Sequence, residues 1–271
     1  MRAIGIYREP EFSPGKVEDD AAILDAVLAE LGSHDLETDR ISAAQFAERG
    51  APPAELVLAM CQGERALKRL AEAAQGGAVV INSALAIRNC YRDLLSAGLA
   101  RSGVPVPAGI LVNTSAPLDR AALGGIELTD GVYVKRGDLH ALGPDDVQHV
   151  ASAAQLDSVL RTFARRGIPR VHVQQEVDGR VVKFYGVCDH AFFDIVDDGT
   201  AMPDNVGRRL ESAANRAASA LGLETWGGDA VLCGDRFTII DFNDWPSMSR
   251  VRHPAARAIA KRAMMLTRAP H

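Results

Sequence analysis

The chain has 271 residues, 47% of them hydrophobic, and a formal net charge of −5. That length exceeds the usual single domain, so two or three compact units with real cores are expected, and the acidic balance gives no support for a nucleic-acid or anionic-membrane partner. No run approaches the roughly 18 apolar residues of a membrane span, the start MRAIGIYREP lacks the apolar region of a signal peptide, and Cys61, Cys90, Cys188 and Cys233 form no C-x-x-C, so a cytoplasmic protein with reduced thiols is expected. A small molecule is the default partner, and a homodimer is compatible with these features.

The chain opens β then α. Ala3–Tyr7 is a short apolar run suited to a buried strand, and Asp19–Leu31 sets Ile23, Leu24, Val27, Leu28 and Leu31 on one helical face. The loop between them, Arg8–Lys16, has no G-x-G-x-x-G, which disfavours a dinucleotide-dependent dehydrogenase. Arg8 and Lys16 either meet an anionic substrate there or are surface cations. Leu56–Met60 and Ala78–Ile81 read as further apolar strands around a helix at Glu64–Ala74, as in a parallel sheet covered on both faces. A Rossmann-like unit of four strands ending near Asn82 follows.

Asn82–Ser102 carries Ile87, Tyr91, Leu94, Leu95 and Leu99 at helical spacing and reads as one connecting helix, followed by the extended GVPVPAG. Gly131–Lys135 is a strand ending in a lysine, before a loop, RGDLHALGPDD, in which Arg136 and His140 are weaker candidates for contact with a ligand. Val147–Arg166 reads as a helix, and Arg170–Val177 and Val181–Val187 as a hairpin about Asp178-Gly179. Lys183 shares a face with Val181 and Tyr185, toward either solvent or a polar cleft. His190–Asp194 continues as strand and Val206–Leu221 as helix.

Two more strand-like runs, Gly228–Cys233 and Arg236–Phe242, are separated by a Gly-Asp turn. Asp241 and Asn243, two apart, project to one face, and Asp229 can join them from the partner strand. Two carboxylates and an amide oxygen suit Mg²⁺, whereas zinc would want His or Cys. The alternative is plain turn chemistry at Asn-Asp before Trp-Pro. Beyond it, Arg250 and Arg252 either grip an anionic group of a second substrate or cap a terminal helix.

G-x-D followed by I-I-D-F-N-x-x-P resembles the C-terminal metal signature of the ATP-grasp superfamily, and INSALAIRNCYRDLLSAGLARSGVPVP resembles its connecting segment. The resemblance implies an α/β (α+β) chain: a Rossmann-like domain over residues 1–82, a linker helix and central ATP-grasp subdomain over 83–174, and a C-terminal subdomain with the metal site over 175–271. It implies that Arg92 stands where a phosphate-binding lysine is usual and that Lys135 is the second such cation. It assigns the adenine hinge to Gln175, Glu176 and Val177, a ribose contact to Asp178, the transferred phosphate to Lys183, and Mg²⁺ (or Mn²⁺) to Asp229, Asp241 and Asn243. Lys183 and Arg250 are then the catalytic candidates. The activity implied is an ATP-dependent, ADP-forming carboxylate–amine ligase working through an acylphosphate. The alternatives are a small-molecule kinase like the inositol-phosphate kinases and a nucleotide-binding module without turnover.

Overall fold

The computed structural model describes residues 1–116, 118, 120–196, 199 and 202–268. Among them three four-stranded sheets follow one another along the chain. The first holds β1 (Arg2–Ile6), β2 (Glu37–Ile41), β3 (Leu56–Ala59) and β4 (Val79–Ile81), all parallel, in the order β2-β1-β3-β4. The inner strands are buried on both faces and so read as unbroken apolar runs. Strand β2, ETDRI, has no buried residue, which is why the hydrophobic pattern passes over it. One face takes α1 (Val17–Ser33), through the five apolar positions expected of it, together with the terminal helix α8 (Arg252–Arg268). The other takes Phe46 from α2 (Ala43–Arg49) and Leu67 and Leu70 from α3 (Glu64–Gln75).

The connection is two helices rather than one, α4 (Ala84–Asn89) and α5 (Arg92–Arg101). Tyr91 is extended, at φ −65 and ψ 136, which breaks the helical run and makes Arg92 the first residue of α5.

The second sheet is antiparallel, with β5 (Gly109–Asn113), β6 (Val132–Arg136), β7 (Val147–Val150) and β8 (Arg170–Gln175) in the order β5-β8-β6-β7. Its apolar face, Val132, Val134, Val171 and Val173, packs on Leu156, Leu160 and Phe163 of α6 (Ala153–Arg165). The helix expected from Val147 therefore starts late. Residues 147–150 pair with β6 instead, and α6 begins after Ser152, whose side chain accepts from the Gln155 amide.

The third sheet contains β9 (Arg180–Val187), β10 (Phe192–Val196), β11 (Thr225–Cys233) and β12 (Arg236–Asp244) in the order β10-β9-β11-β12. Helix α7 (Asp204–Leu221) and α5 cover it, and Phe184, Trp226 and Phe242 form an aromatic cluster beneath the strands. The expected hairpin of β8 with β9 does not form: β8 belongs to the second sheet and β9 to the third, so Asp178-Gly179 carries the chain from one sheet to the next. Edge strand β12 meets the second sheet along a seam, beside which the Ile239 amide donates to Pro105 O, in the segment before β5, at 2.8 Å. No helix among the described residues is long and apolar enough to cross a membrane.

Candidate active site

The β11–β12 hairpin turns at Gly234, whose φ of 61 is the left-handed conformation glycine adopts without strain. Its register sets Asp229 opposite Asp241 and Gly227 opposite Asn243, so the three expected oxygen donors stand on one face while Phe242 goes into the core. Immediately past Asp229 the ladder shifts, with Ala230 opposite Ile239, leaving Ile240 as the extra residue of a bulge. The Ile240 carbonyl is thereby turned to the seam, where it accepts from Lys135 Nζ at 3.2 Å and from Gln174 Nε2 at 3.5 Å.

Cations surround the two aspartates. The Arg92 guanidinium is buried 3.6 Å from Asp241, and its Nε has no partner. Lys183 Nζ donates to Asp229 Oδ1 at 2.7 Å. Burial alone would raise Asp241, but Arg92 and Lys135 outweigh it and hold the carboxyl below its ordinary range. Asp229 moves the other way: burial raises it, and Lys183 only partly offsets this. Lys135 is pushed down to about 8 by burial, against the pull of Asp241. The donor set is all oxygen and suits a hard ion. No three of the His, Cys, Asp or Glu side chains gather as a metal site among the described residues, so an ion here needs the Asn243 amide and oxygens from water or substrate.

Three residues at this seam were not singled out from sequence. His172 and Gln174 on β8 and Ser96 on α5 line a cavity of about 490 Å³ together with Arg92 and Ile240. Ser96 Oγ lies 3.2 Å from His172 Nε2. Burial, then Arg92 and Lys135, push His172 down to about 3, so it is neutral at working pH. The alternation of β8, apolar at Val171 and Val173 and polar at His172 and Gln174, was the available signal. Register puts His172 opposite Lys135, on the polar face.

The proposed hinge is only partly free. The Gln175 amide donates to Ala108 O and the Glu176 amide to Gly131 O, which leaves, of the three amides and among the described residues, that of Val177. The Gln175 side chain bonds to the Glu127 and Gly131 backbone, and Glu176 holds His149 Nε2 at 2.6 Å. Asp178 is exposed at the crossing between sheets.

Lys183, Asp229 and Asn243 line a second cavity, of about 510 Å³, with Lys16, Tyr185, Ser247 and Arg250. Lys183 thus lines a cleft with its side chain 59% exposed, and Arg250 faces the same space. Arg252 instead pairs with Asp19 at 2.9 Å, and Arg136 with Asp138. Arg8 is also committed, donating to Met60 O and Trp245 O and pairing with Asp20 at 3.3 Å; it fastens the first loop to the end of β12 and is no free substrate cation. The segment after β12 is bent by positive φ at Trp245 (29) and Met248 (46), conformations held by the complete burial of both side chains. That bend carries Pro246 and Ser247 to the rim.

No family model matches the chain, and no curated protein matches it in sequence. Solved structures do. D-alanine–D-alanine ligase from Bacillus anthracis complexed with ATP superposes with a TM-score of 0.75 at 14% identity, over 98% of this chain and 97% of that one. D-alanyl-alanine synthetase A from Vibrio cholerae O1 biovar eltor gives 0.75 at 12%, over 98% of both. A RimK domain protein ATP-grasp from Sphaerobacter thermophilus gives 0.69 at 18%, over 97% and 99%. The chain has the ATP-grasp fold.

Proposed function

We propose that the protein is a Mg-ATP-dependent carboxylate–amine ligase that forms an amide or peptide bond and releases ADP and phosphate. The observation that carries this reading is the charge arrangement at the seam: Asp229 and Asp241 opposed on one hairpin, with Arg92, Lys135 and Lys183 gathered about them. Ligase chemistry in the fold neighbours, one of them complexed with ATP, supports it. We further propose functional units at 1–82, 83–174 and 175–271, which leave the nucleotide between the second and third sheets.

In this reading Lys135 and Arg92 bind the polyphosphate, the Val177 amide meets the adenine edge, and Asp178 contacts ribose. Asp229, Asp241 and Asn243 would hold Mg²⁺, which when bound neutralises phosphate charge; Mn²⁺ is the natural substitute. The acid lies in the larger cavity with Arg250 and Lys16 on its carboxylate. With the Asp229 carboxylate needed for Mg²⁺, Lys183 would exchange its bond to Asp229 for one to the γ-phosphoryl group. An acid oxygen attacks the γ-phosphorus as its bond to the β-phosphate oxygen breaks and ADP leaves; fixed positive charge, already in position, stabilises this loose transition state. The neutral amine nitrogen then attacks the acyl carbon, phosphate leaves with the C–O bond pair, and the proton given up by the nitrogen ends on that phosphate.

The test is thermal melting with ATP and ADP, each with and without Mg²⁺, beside ADP and phosphate release with amino acids, short peptides and polyols. Nucleotide at a hundred times its dissociation constant adds about 2.7 kcal/mol. A Mg²⁺-dependent shift with equal release of ADP and phosphate is expected when acid and amine are both present. ADP without free phosphate, the phosphoryl group resting on a polyol, would mean a kinase. Asp229→Asn and Asn243→Ala should each remove turnover while nucleotide binding partly survives; full activity in either overturns the metal assignment.

A further inference from the structure

A smaller cavity, of about 230 Å³, adjoins the larger one, between the loop after β1, Gln62, the loop after β6 and the end of β12. Most of its charges are spent. Arg8 is paired with Asp20, and Asp20 also accepts from Ser13 Oγ at 2.6 Å; Lys16 holds Asp19 only at the surface, at 3.4 Å, and stays available to the larger cavity. Asp244 differs. The residue is 1% exposed, one carboxylate oxygen accepts from Gln62 Nε2 at 2.9 Å, and Oδ2 has no partner. His140 lines the same cavity, its buried Nε2 also unpartnered, 3.6 Å from Asp244 Oδ1 and beyond hydrogen-bond reach.

A buried carboxylate oxygen without a donor is costly, and the cost falls on binding a group that brings both donors and positive charge. A primary ammonium has three N–H donors and a full charge, and it is compact enough for this cavity. With its proton on Nδ1, His140 offers Nε2 as a second acceptor. The cavity shares Lys16, Asn243, Pro246 and Ser247 with the larger one. A molecule anchored at Asp244 therefore reaches the edge where the acid carboxylate would lie.

We propose that this cavity binds the primary ammonium group of a substrate, with Asp244 Oδ2 as its counter-ion and His140 Nε2 as a second acceptor. Its assignment to a substrate rests on the ligase reading. Two substrates can supply that group, the attacking amine, which docks as ammonium and loses a proton to water before it attacks, or an amino acid whose carboxylate is activated, and the tests separate them.

The first test is direct. Ethylammonium and propionate are titrated into the full chain with Mg-ADP, followed by ligand-observed NMR. Ethylammonium should bind saturably, propionate should not displace it, and Asp244→Asn, which replaces the free acceptor by a donor at unchanged size, should weaken it about tenfold or more. His140→Asn gives a second variant on a loop, where folding is less at stake. Absent binding, or equal binding in both variants, overturns the proposal.

The second test uses hydroxylamine, uncharged at neutral pH, which traps an activated acid as hydroxamate. If the attacking amine supplies the ammonium, the ratio of amide to hydroxamate falls about tenfold in Asp244→Asn, and that ratio is insensitive to the amount of active enzyme. If the acid supplies it, the preference for alanine over propionate in hydroxamate formation collapses instead. Neither change, with hydroxamate still formed, overturns the proposal and leaves the ligase reading standing. Ethylammonium binding without hydroxamate from any acid keeps the cavity and removes the ligase reading.

Discussion

Lys135 is buried at the centre of the seam, and burial holds its ammonium near 8. An unfolded lysine titrates near about 10.4, so folding favours the neutral amine. The full penalty for charging it applies below pH 8, and stability rises as pH climbs from about 8 to about 10.4, by at most about 3 kcal/mol. Urea unfolding across that range, wild type minus Lys135→Met, should show this rise in the wild type alone. A polyphosphate beside Nζ restores the charge, so nucleotide binding at about pH 9 should take up a proton, measured by calorimetry in buffers of differing ionisation enthalpy. The position of Lys135 at the end of an apolar strand was legible in sequence. Its burial was not, because it depends on the bulge that turns the Ile240 carbonyl toward it. Arg8 shows the reverse: a loop arginine reads as a free cation until the fold brings Trp245, 237 positions away, against it.

At the scale of elements, the β11–β12 hairpin works because glycine lines its inner side. A Cβ on Gly228 would lie 2.4 Å from Asp241 O and 2.5 Å from Phe184 Cζ. The first is a backbone atom, which gives way only by moving Asp241 itself. Gly228→Ala should therefore cost about 1–3 kcal/mol in urea unfolding and reduce ADP release well beyond what the lost folded fraction explains. This hairpin was legible because turn, alternation and polar ends agreed. The pairing of β8 with β9 was misread for a physical reason: a two-residue Asp-Gly connection is the strongest local hairpin signal, yet pairing is settled by which neighbours bury the valines of β8, and those are on β6 and α6. Strand β7 was absorbed into a helix because Val147 and Val150 fit a helical spacing as well as an alternating one.

At the scale of the whole molecule, α8 joins the two ends of the chain. Its Ala255, Ala256, Ile259, Ala260 and Ala263 share a core with Ile23, Leu24 and Val27 of α1, with Val187 of β9, and with Trp245 and Met248 of the segment after β12. A chain ended at Val251 should thus lose cooperative unfolding by near-UV circular dichroism and become protease-sensitive in the first sheet as well as the third; a trimmed chain that keeps its first sheet protected would overturn this. The sequence by itself determined the apolar strands β1, β3 and β4, the helices α1 and α3, and the order of the cations and oxygen donors, since each is written in local spacing; the ATP-grasp fold was implied by the resemblance of its motifs. The tertiary structure alone decided which strands pair, that Arg8 is spent, that His172 and Gln174 share the face of Lys135, and that Asp244 keeps one buried oxygen without a donor. Those outcomes depend on contacts between residues far apart in the chain, where desolvation and neighbouring charge, rather than periodicity, fix what each side chain does.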